Sequence, residues 1–423
     1  MVVAMFILFL VLLILGVPIA FSLGAASLFY LFANGIPLVV IAQKFFAGMD
    51  SFTLLCIPGF MLAGSLMNGG GITKRILHFC NAFLGHFTGS LALVNVVASM
   101  VFAGISGTAI ADVCSLGSML IPAMVEDGYD DDFSVAVTAA SSVVGPIIPP
   151  SVPMVIAGAC VNISVGKMFQ GGIIPGIMLG LALCIPTYLI SVKRKYPKHA
   201  KVAWTERWNT TKSAIWAIIM PLILLGGILS GIFTPTEASI VTCVYALIVG
   251  VFVYKEIKIY EVPRILWENM RSCASIIVLI GFANVFGYIL TAERIPQMVA
   301  NGILGITTSK VVVILLINIV LLFVGMFMES LAAILITFPV LLPVATAVGM
   351  DPVHFALMAI INLMIGLTTP PVGMCICTAA QIGKVSSYKA FKANAPFLVT
   401  SLIVLLLVSF VPQITLFIPS LFK

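Results

Sequence analysis

Residues 102–112 read FAGISGTAIAD and residues 145–151 read GPIIPPS, while residues 323–330 read FVGMFMES and residues 366–373 read GLTTPPVG. Adding 221 to a position in the first pair gives its counterpart in the second, without a gap, from Phe102/Phe323 to Pro175/Pro396. Seven counterpart pairs are identical glycines or prolines: Gly104/Gly325, Pro122/Pro343, Gly128/Gly349, Gly145/Gly366, Pro149/Pro370, Pro150/Pro371 and Pro175/Pro396. Chance alignment would give about one, so the chain carries an internal repeat. The copies share backbone interruptions far more than side chains.

Composition sets the solvent. Hydrophobic residues make up 61% of the chain and charged residues 9%, with a mean hydropathy of +1.21, against about 25% charge in a soluble domain. Apolar runs of about 20 residues recur along the whole length. The chain is therefore an all-α polytopic membrane protein, because in lipid every backbone polar group needs a partner within its own segment. The alternation of a membrane barrel is missing. The first span, Val2 to about Phe32, is too long for a signal-peptide core and has no basic residue ahead of it, so one retained helix is expected there. The net charge of +6 belongs to cytoplasmic loops and not to nucleic-acid binding. The nine cysteines include no CxxC pair and read as small core residues, and the four histidines are not at metal-ligand spacing.

The repeat organises the rest. Residues 1–70 read as apolar helices ahead of the first copy, and residues 71–89, with Lys74, Arg75, His78 and His86, as an amphipathic connecting helix. Residues 90–192 form the first copy, 193–271 two further spans between cytoplasmic linkers that are basic at 193–212 and again at 255–271, 272–310 connecting helices, and 311–423 the second copy. Each copy has two parts. Residues 90–125 hold one charge, Asp112, and turn at Gly104–Gly107, which reads as a re-entrant helical hairpin. Residues 133–163 are broken at Gly145–Pro150, where prolines remove donors and disfavour helix before them. In the second copy the hairpin is 311–346, with Glu329 near its tip, and the broken helix is 353–384. A last span runs from about 394 to 419.

Charge placement orients the copies. The span 172–192 ends at the basic block 193–212, whereas the span 394–419 starts just after Lys384, Lys389 and Lys392. With basic loops on the cytoplasmic side, the two copies face opposite ways. Inverted repeats with broken helices are a construction of secondary transporters, with the binding site near the midplane.

A broken helix exposes carbonyl oxygens at one end and N–H groups at the other. Carbonyls and hydroxyls suit a hard cation such as Na+, and N–H groups suit a carboxylate. Two pseudosymmetric sodium sites follow, one from Ser106, Gly107, Gly145, Pro149 and Pro150, the other from Gly325, Met328, Gly366, Thr368 and Thr369. Candidate substrate contacts are Ser106, Thr108, Asp112 and Glu329, since ionisable groups in a membrane are costly. Asp112 is expected to orient the tip or the substrate. Glu329 is the expected N-terminal anion of its half-helix, and each of the two carboxylates has a purely local structural role as its alternative. No lysine or arginine lies in the hairpins or breaks, so an anionic substrate would depend on helix N-termini and bound cations. Thr234, Thr236 and Glu237 read as shaping a turn.

The motifs PGFMLAGSLMNGGGI (58–72), GISGTAIAD (104–112), GPIIPPS (145–151), GIFTPTEA (231–238) and GLTTPPVG (366–373) resemble the large membrane subunit of the tripartite ATP-independent periplasmic (TRAP) transporters. The resemblance spans nearly the whole chain. It implies a sodium-driven importer of organic anions in the bacterial inner membrane, in contact with membrane lipid. It implies a small four-helix membrane subunit and a periplasmic substrate-binding protein as partners. It further implies an elevator motion, in which both hairpins slide against a scaffold of residues 1–70 and 213–254. The chain reads as the unfused form, and its substrate as sialic acid or a C4-dicarboxylate, with overall likeness favouring sialic acid. A divalent-anion/sodium symporter working without a binding protein is the alternative, but the hairpin tips lack its Ser-Asn-Thr. A channel would need a continuous polar pore. No HExxH, GxSxG or paired catalytic carboxylates are present, so no enzymatic activity is expected.

Overall fold

A computed structural model describes residues 1–106, 108–307 and 309–421, the first range without the side chains of 103–106 and the second without that of 306. Helices α1 (Val2–Ile14), α2 (Ile19–Ala33), α3 (Val39–Met49), α4 (Cys56–Gly69) and α5 (Ile72–Leu84) precede the first copy. That copy comprises α6 (Ser90–Ser106), α7 (Ala109–Glu126), α8 (Asp131–Ser142), α9 (Val152–Val161) and α10 (Val165–Lys193). Between the copies lie α11 (Trp204–Leu229), α12 (Pro235–Ile248), α13 (Val262–Ala292) and α14 (Ile295–Ile306). The second copy is α15 (Lys310–Phe327), α16 (Ser330–Ala347), α17 (Pro352–Gly366), α18 (Met374–Ile382) and α19 (Ser387–Phe410), and α20 (Gln413–Leu421) follows it. Among the described residues, nine helical segments are long and apolar enough to cross a bilayer.

The shift of 221 carries α7 onto α16 residue for residue and the start of α8 onto the start of α17. The second arms of the hairpins exchange partners across the copies: α7 packs on α18, and α16 packs on α9. The half-helices α8 and α17 lie at the centre. Every residue from Phe133 to Ser142 and from His354 to Gly366 is buried.

Contacts at the helix ends fix the directions of the copies. At the base of the first hairpin, Gly89 N–H donates to the Pro197 carbonyl at 3.0 Å, just past the end of α10. At the base of the second, Lys310 Nζ donates to the Gly349 carbonyl at 3.1 Å. The neighbouring His354 Nδ1 lies 2.8 Å from Thr415 Oγ1. The Thr415 backbone in turn packs against Gly171, near the start of α10. Helix α10 thus starts on the face of the second hairpin and ends on the face of the first. Arg194 shares a cavity with residues 384–393, so α19 starts where α10 ends. Counterpart helices run antiparallel, and the hairpins enter from opposite faces. Helix α8, of 12 residues, is roughly 18 Å long at 1.5 Å per residue, so break and tips lie deep in the molecule.

Three expectations are corrected. The first span is two helices, α1 and α2, folded back on one another. Gly16 adopts φ +81°, a conformation open to glycine, and Pro18 at the N-cap of α2 cannot continue a hydrogen-bonded helix. Phe6 and Phe9 of α1 then pack on Phe286 of α13, with ring centroids 5.6 and 5.8 Å apart. The last span ends at Phe410, and Pro412 precedes the separate helix α20. Helix α13 starts at Val262, inside the stretch read as a basic linker. Pro263 occupies its first turn, where a missing N–H costs nothing, and Arg264 pairs with Glu268 at 2.8 Å one turn on. Helix α5 buries Ile72, Ile76 and Cys80 as an amphipathic segment. Its Arg75 reaches Glu256 at 3.3 Å and stacks 3.8 Å from the Tyr254 ring centroid.

Candidate functional site

Four half-helices begin inside the molecule. Thr108 and its repeat counterpart Glu329 are the N-caps of α7 and α16. The Thr108 hydroxyl accepts from Ala111 N–H at 3.4 Å. Glu329 Oε2 accepts from Leu331 and Ala332 N–H at 2.9 and 3.3 Å, and its Oε1 accepts from Ser330 Oγ at 2.9 Å. One position therefore caps both hairpins, with a hydroxyl in one copy and a carboxylate in the other. Ser151 caps α9, accepting from Met154 N–H at 3.3 Å. Helix α18 starts at Gly373, φ +52°, with no side-chain cap. Several of the N–H groups reserved above for a substrate carboxylate are thus engaged by the chain itself.

At the first break, Asp112 is fully buried in the opening turns of α7. Gly145 lies against its carboxylate, and a Cβ there would overlap Oδ2. Pro149 and Pro150 are joined by a cis bond, as are their counterparts Pro370 and Pro371. Gly107 and the side chain of Ser106 lie outside the described residues. At the second break the approach is backbone to backbone: a Cβ on Gly366 would lie 2.6 Å from the Gly325 carbonyl carbon. Thr368 and Thr369 are buried, and both hydroxyls donate to the Ile365 carbonyl at 2.9 Å, leaving lone pairs on each oxygen. Met328 ends α15 in extended conformation. Their counterparts explain the difference between the breaks: Thr368 and Thr369 match Ile147 and Ile148, and Asp112 matches Ala333. Oxygen comes from a carboxylate at one break and from hydroxyls at the other.

The two breaks are not isolated from each other. Helix α18, which starts at the second break, packs on both α7 and α8 of the first copy. A buried polar contact also stitches each hairpin to its own half-helix at counterpart positions 141 and 362. Ser141 Oγ donates to Asn95 Oδ1 at 3.3 Å, and Asn362 Nδ2 donates to Asn318 Oδ1 at 2.7 Å.

A cavity of about 500 Å³ leads to the first tip. It is lined by Thr108, Ala111 and Ser115 of α7, Ser65 and Asn68 of α4, and Glu268 and Asn269 of α13. It opens at the ends of α4 and α13 that adjoin the 255–271 basic stretch. A second cavity, of about 590 Å³, lies toward the opposite face between α3, α9, α13 and α16. It reaches Leu335 and Pro339 of α16 but not the second tip.

Several of these residues escaped sequence reasoning. Asn394 donates through Nδ2 to the Thr368 carbonyl at 2.9 Å, and its Oδ1 is buried without a donor among the described residues. The only signal was a lone amide in an apolar span. Ser65 and Asn68 fall within the motif 58–72 with no role assigned, and Asn269 carried no signal, since their place in the cavity depends on α4 and α13 meeting α7. The turn before α12 is a capping box: Thr234 accepts from Glu237 N–H at 3.3 Å, and Glu237 Oε2 accepts from Thr234 N–H at 2.8 Å.

Two inverted copies, each a hairpin beside a broken helix, with a cavity leading to one tip, define a multi-pass inner-membrane transport protein. The chain belongs to the tripartite ATP-independent periplasmic transporter family, as its DctM component, whose family model matches residues 6–414. It is 44% identical to the sialic acid TRAP transporter large permease protein SiaM of Vibrio cholerae, over 97% of this chain and 96% of that protein. It is 36% identical to the C4-dicarboxylate TRAP transporter large permease protein DctM of the same organism, over 99% and 97% of the two chains. With the sialic acid TRAP transporter permease protein SiaT of Haemophilus influenzae it shares 39% identity over 97% of this chain and 67% of the relative. The crystal structure of the Alcanivorax borkumensis YdaH transporter has a similar fold, with a TM-score of 0.61 over 90% of this chain and 88% of that one, at 15% identity. The chain is thus a permease and not an enzyme. Family membership implies a small membrane subunit and a periplasmic binding protein beside it, which sets aside a symporter working alone.

Proposed function

We propose that this chain imports an organic acid of the sialic acid class, driven by sodium, from a periplasmic binding protein. The observation that carries the sodium assignment is the second break. There the hydroxyls of Thr368 and Thr369, buried beside the Gly325–Gly366 contact, put oxygen in a break, residues 366–373, that carries no lysine or arginine. Gly325, Met328 and Gly366 add carbonyl oxygens, and Asn394 joins from α19. At the first break Asp112 balances the charge of a second cation among Ser106, Gly107, Gly145, Pro149 and Pro150. Bound sodium then supplies the positive charge that an anionic substrate needs, since several interior helix N-termini are already capped. Thr108 is the substrate contact nearest the cavity. Glu329 acts through α16, which it caps.

Residues 1–70 with 213–254, joined by α13, act as scaffold, and the two copies move against them together as an elevator. The exchanged packing of α7 on α18 and α16 on α9 supports one moving body, because neither copy is able to shift without the other. Likeness to SiaM supports the substrate class. The test is uptake into proteoliposomes holding this chain, its small subunit and its cognate binding protein, across a panel of organic acids. Sialic acid uptake that needs an inward sodium gradient is the expected result. Uptake that persists unchanged without the gradient removes the sodium assignment, and preferred uptake of a C4-dicarboxylate removes the substrate assignment.

A further inference from the structure

On the face where α10 ends and α19 begins, a cavity of about 750 Å³ lies on the seam between the two copies. The first copy contributes Asp131, Asp132 and Arg194, and the second contributes Lys384, Lys389 and Lys392. Arg194 is committed to acidic partners, at 2.7 Å from Asp130 and 3.2 Å from Asp132. The three lysines make no ion pair among the described residues. The lining is therefore net positive, and the surplus sits on the second copy.

These lysines stand where helix physics disfavours them. Lys389 and Lys392 occupy the first two turns of α19, which carry no acidic residue, and Ser386 makes no side-chain cap there. A positive charge at a helix N-terminus opposes the macrodipole, and like charges three residues apart on a helix repel. Lys384 adds a third charge just before that helix. One compact anion in the cavity would offset that unfavourable field. Tyr388, next to Lys389, is 79% exposed, as an aromatic residue at the headgroup level of a membrane helix is.

We propose that this cavity binds a phosphate group, that of an anionic lipid headgroup or a free phosphate ion, and that the bound phosphate staples the two inverted copies together at their cytoplasmic seam. Basic pockets between membrane helices on the cytoplasmic side are suited to anionic headgroups. The phosphate oxygens face Lys384, Lys389 and Lys392, while Asp131 and the Arg194 cluster bound the site on the other copy. The site is separate from both breaks and from the transport reading above.

The test uses the full-length chain with its small subunit in phosphatidylcholine nanodiscs. Phosphatidylglycerol or inorganic phosphate is titrated in, with lipid retention read by native mass spectrometry and the unfolding midpoint read thermally. Wild type is expected to retain phosphatidylglycerol and to unfold at a higher temperature with it. Each of Lys384→Gln, Lys389→Gln and Lys392→Gln is expected to weaken retention about fivefold. The triple variant Lys193→Gln/Lys195→Gln/Lys198→Gln, with three charges removed nearby, is expected to leave retention as in wild type. Stabilisation by inorganic phosphate alone, lost in the three single variants, assigns the same site to the free ion. Binding of neither ligand, or equal loss in the 193/195/198 variant, overturns the proposal. Unfolding midpoints without either ligand separate lost binding from lost folding.

Discussion

Gly325 and Gly366 meet backbone to backbone: a Cβ added to Gly366 would lie 2.6 Å from the Gly325 carbonyl carbon and 2.7 Å from its Cα. The hairpin and the break of the second copy touch here with no side chain between them. Because both partners are backbone, neither is able to turn aside. Gly366→Ala is therefore expected to push α15 from α17 and destabilise the protein by about 1–3 kcal/mol, the usual cost of overpacking. Gly305→Ala, where a Cβ meets nothing within 4 Å, serves as the control. Thermal unfolding of the two purified variants checks this, and equal midpoints would mean that the contact yields.

The inversion predicts a labelling pattern. Glu126 and Ala347 end the second arms of the two hairpins, are repeat counterparts, and are both exposed. In a cysteine-free chain, Glu126→Cys is expected to react with an impermeant thiol reagent only from the face of Arg194 and Lys384. Ala347→Cys is expected to react only from the other face. Labelling of both from one side of oriented vesicles is incompatible with inverted copies.

The hairpins and breaks were legible because glycine and proline interrupt a helix wherever it packs, so a repeat of interruptions is a repeat of structure. Gly16 and Pro18 carried the same kind of signal, and the length of the apolar run outweighed it. The packing of α18 on α7 and α8 was illegible for a different reason. The shift of 221 aligns α7 with α16 and α18 with α9, and it does not say which elements of one copy touch those of the other. The same holds for Asn394, because its hydrogen bond to Thr368 spans 26 residues and follows from where α19 crosses the break.

The seam on the basic face predicts a pH response. The Tyr196 hydroxyl, at 2.7 Å, and then the Arg194 guanidinium hold the Asp130 carboxyl below its usual range. A depressed carboxylate contributes stability that is fully present above its unfolded pKa of about 4 and is lost as pH falls through the lower folded value. Asp130 is half exposed, so the contribution is that of a screened pair, about 1 kcal/mol or less. Asp130→Asn is expected to lower the unfolding midpoint at pH 7, with the gap to wild type closing as pH falls below about 4. A gap that is constant from pH 7 to pH 3 would show that Asp130 acts through something other than its charge.

Thr369 offers the sharpest test of the cation reading. Its hydroxyl donates to the Ile365 carbonyl, and any cation at the second break is met by its lone pairs. Thr369→Val keeps the shape and removes the oxygen. The Ile365 carbonyl stays paired with the N–H and hydroxyl of Thr368, so the break has reason to keep its fold. Removing one oxygen from a charged partner costs about 1.5–3 kcal/mol, which corresponds to a sodium requirement raised about tenfold or more. Half-saturating sodium for uptake is the measurement, with Thr346→Val at the exposed end of α16 as the control. The expected pattern is a rightward shift for Thr369→Val with maximal uptake recovered at high sodium, and none for Thr346→Val. An unchanged sodium curve takes Thr369 out of the site, while a loss of uptake that sodium does not restore assigns its hydroxyl to the structure of the break alone.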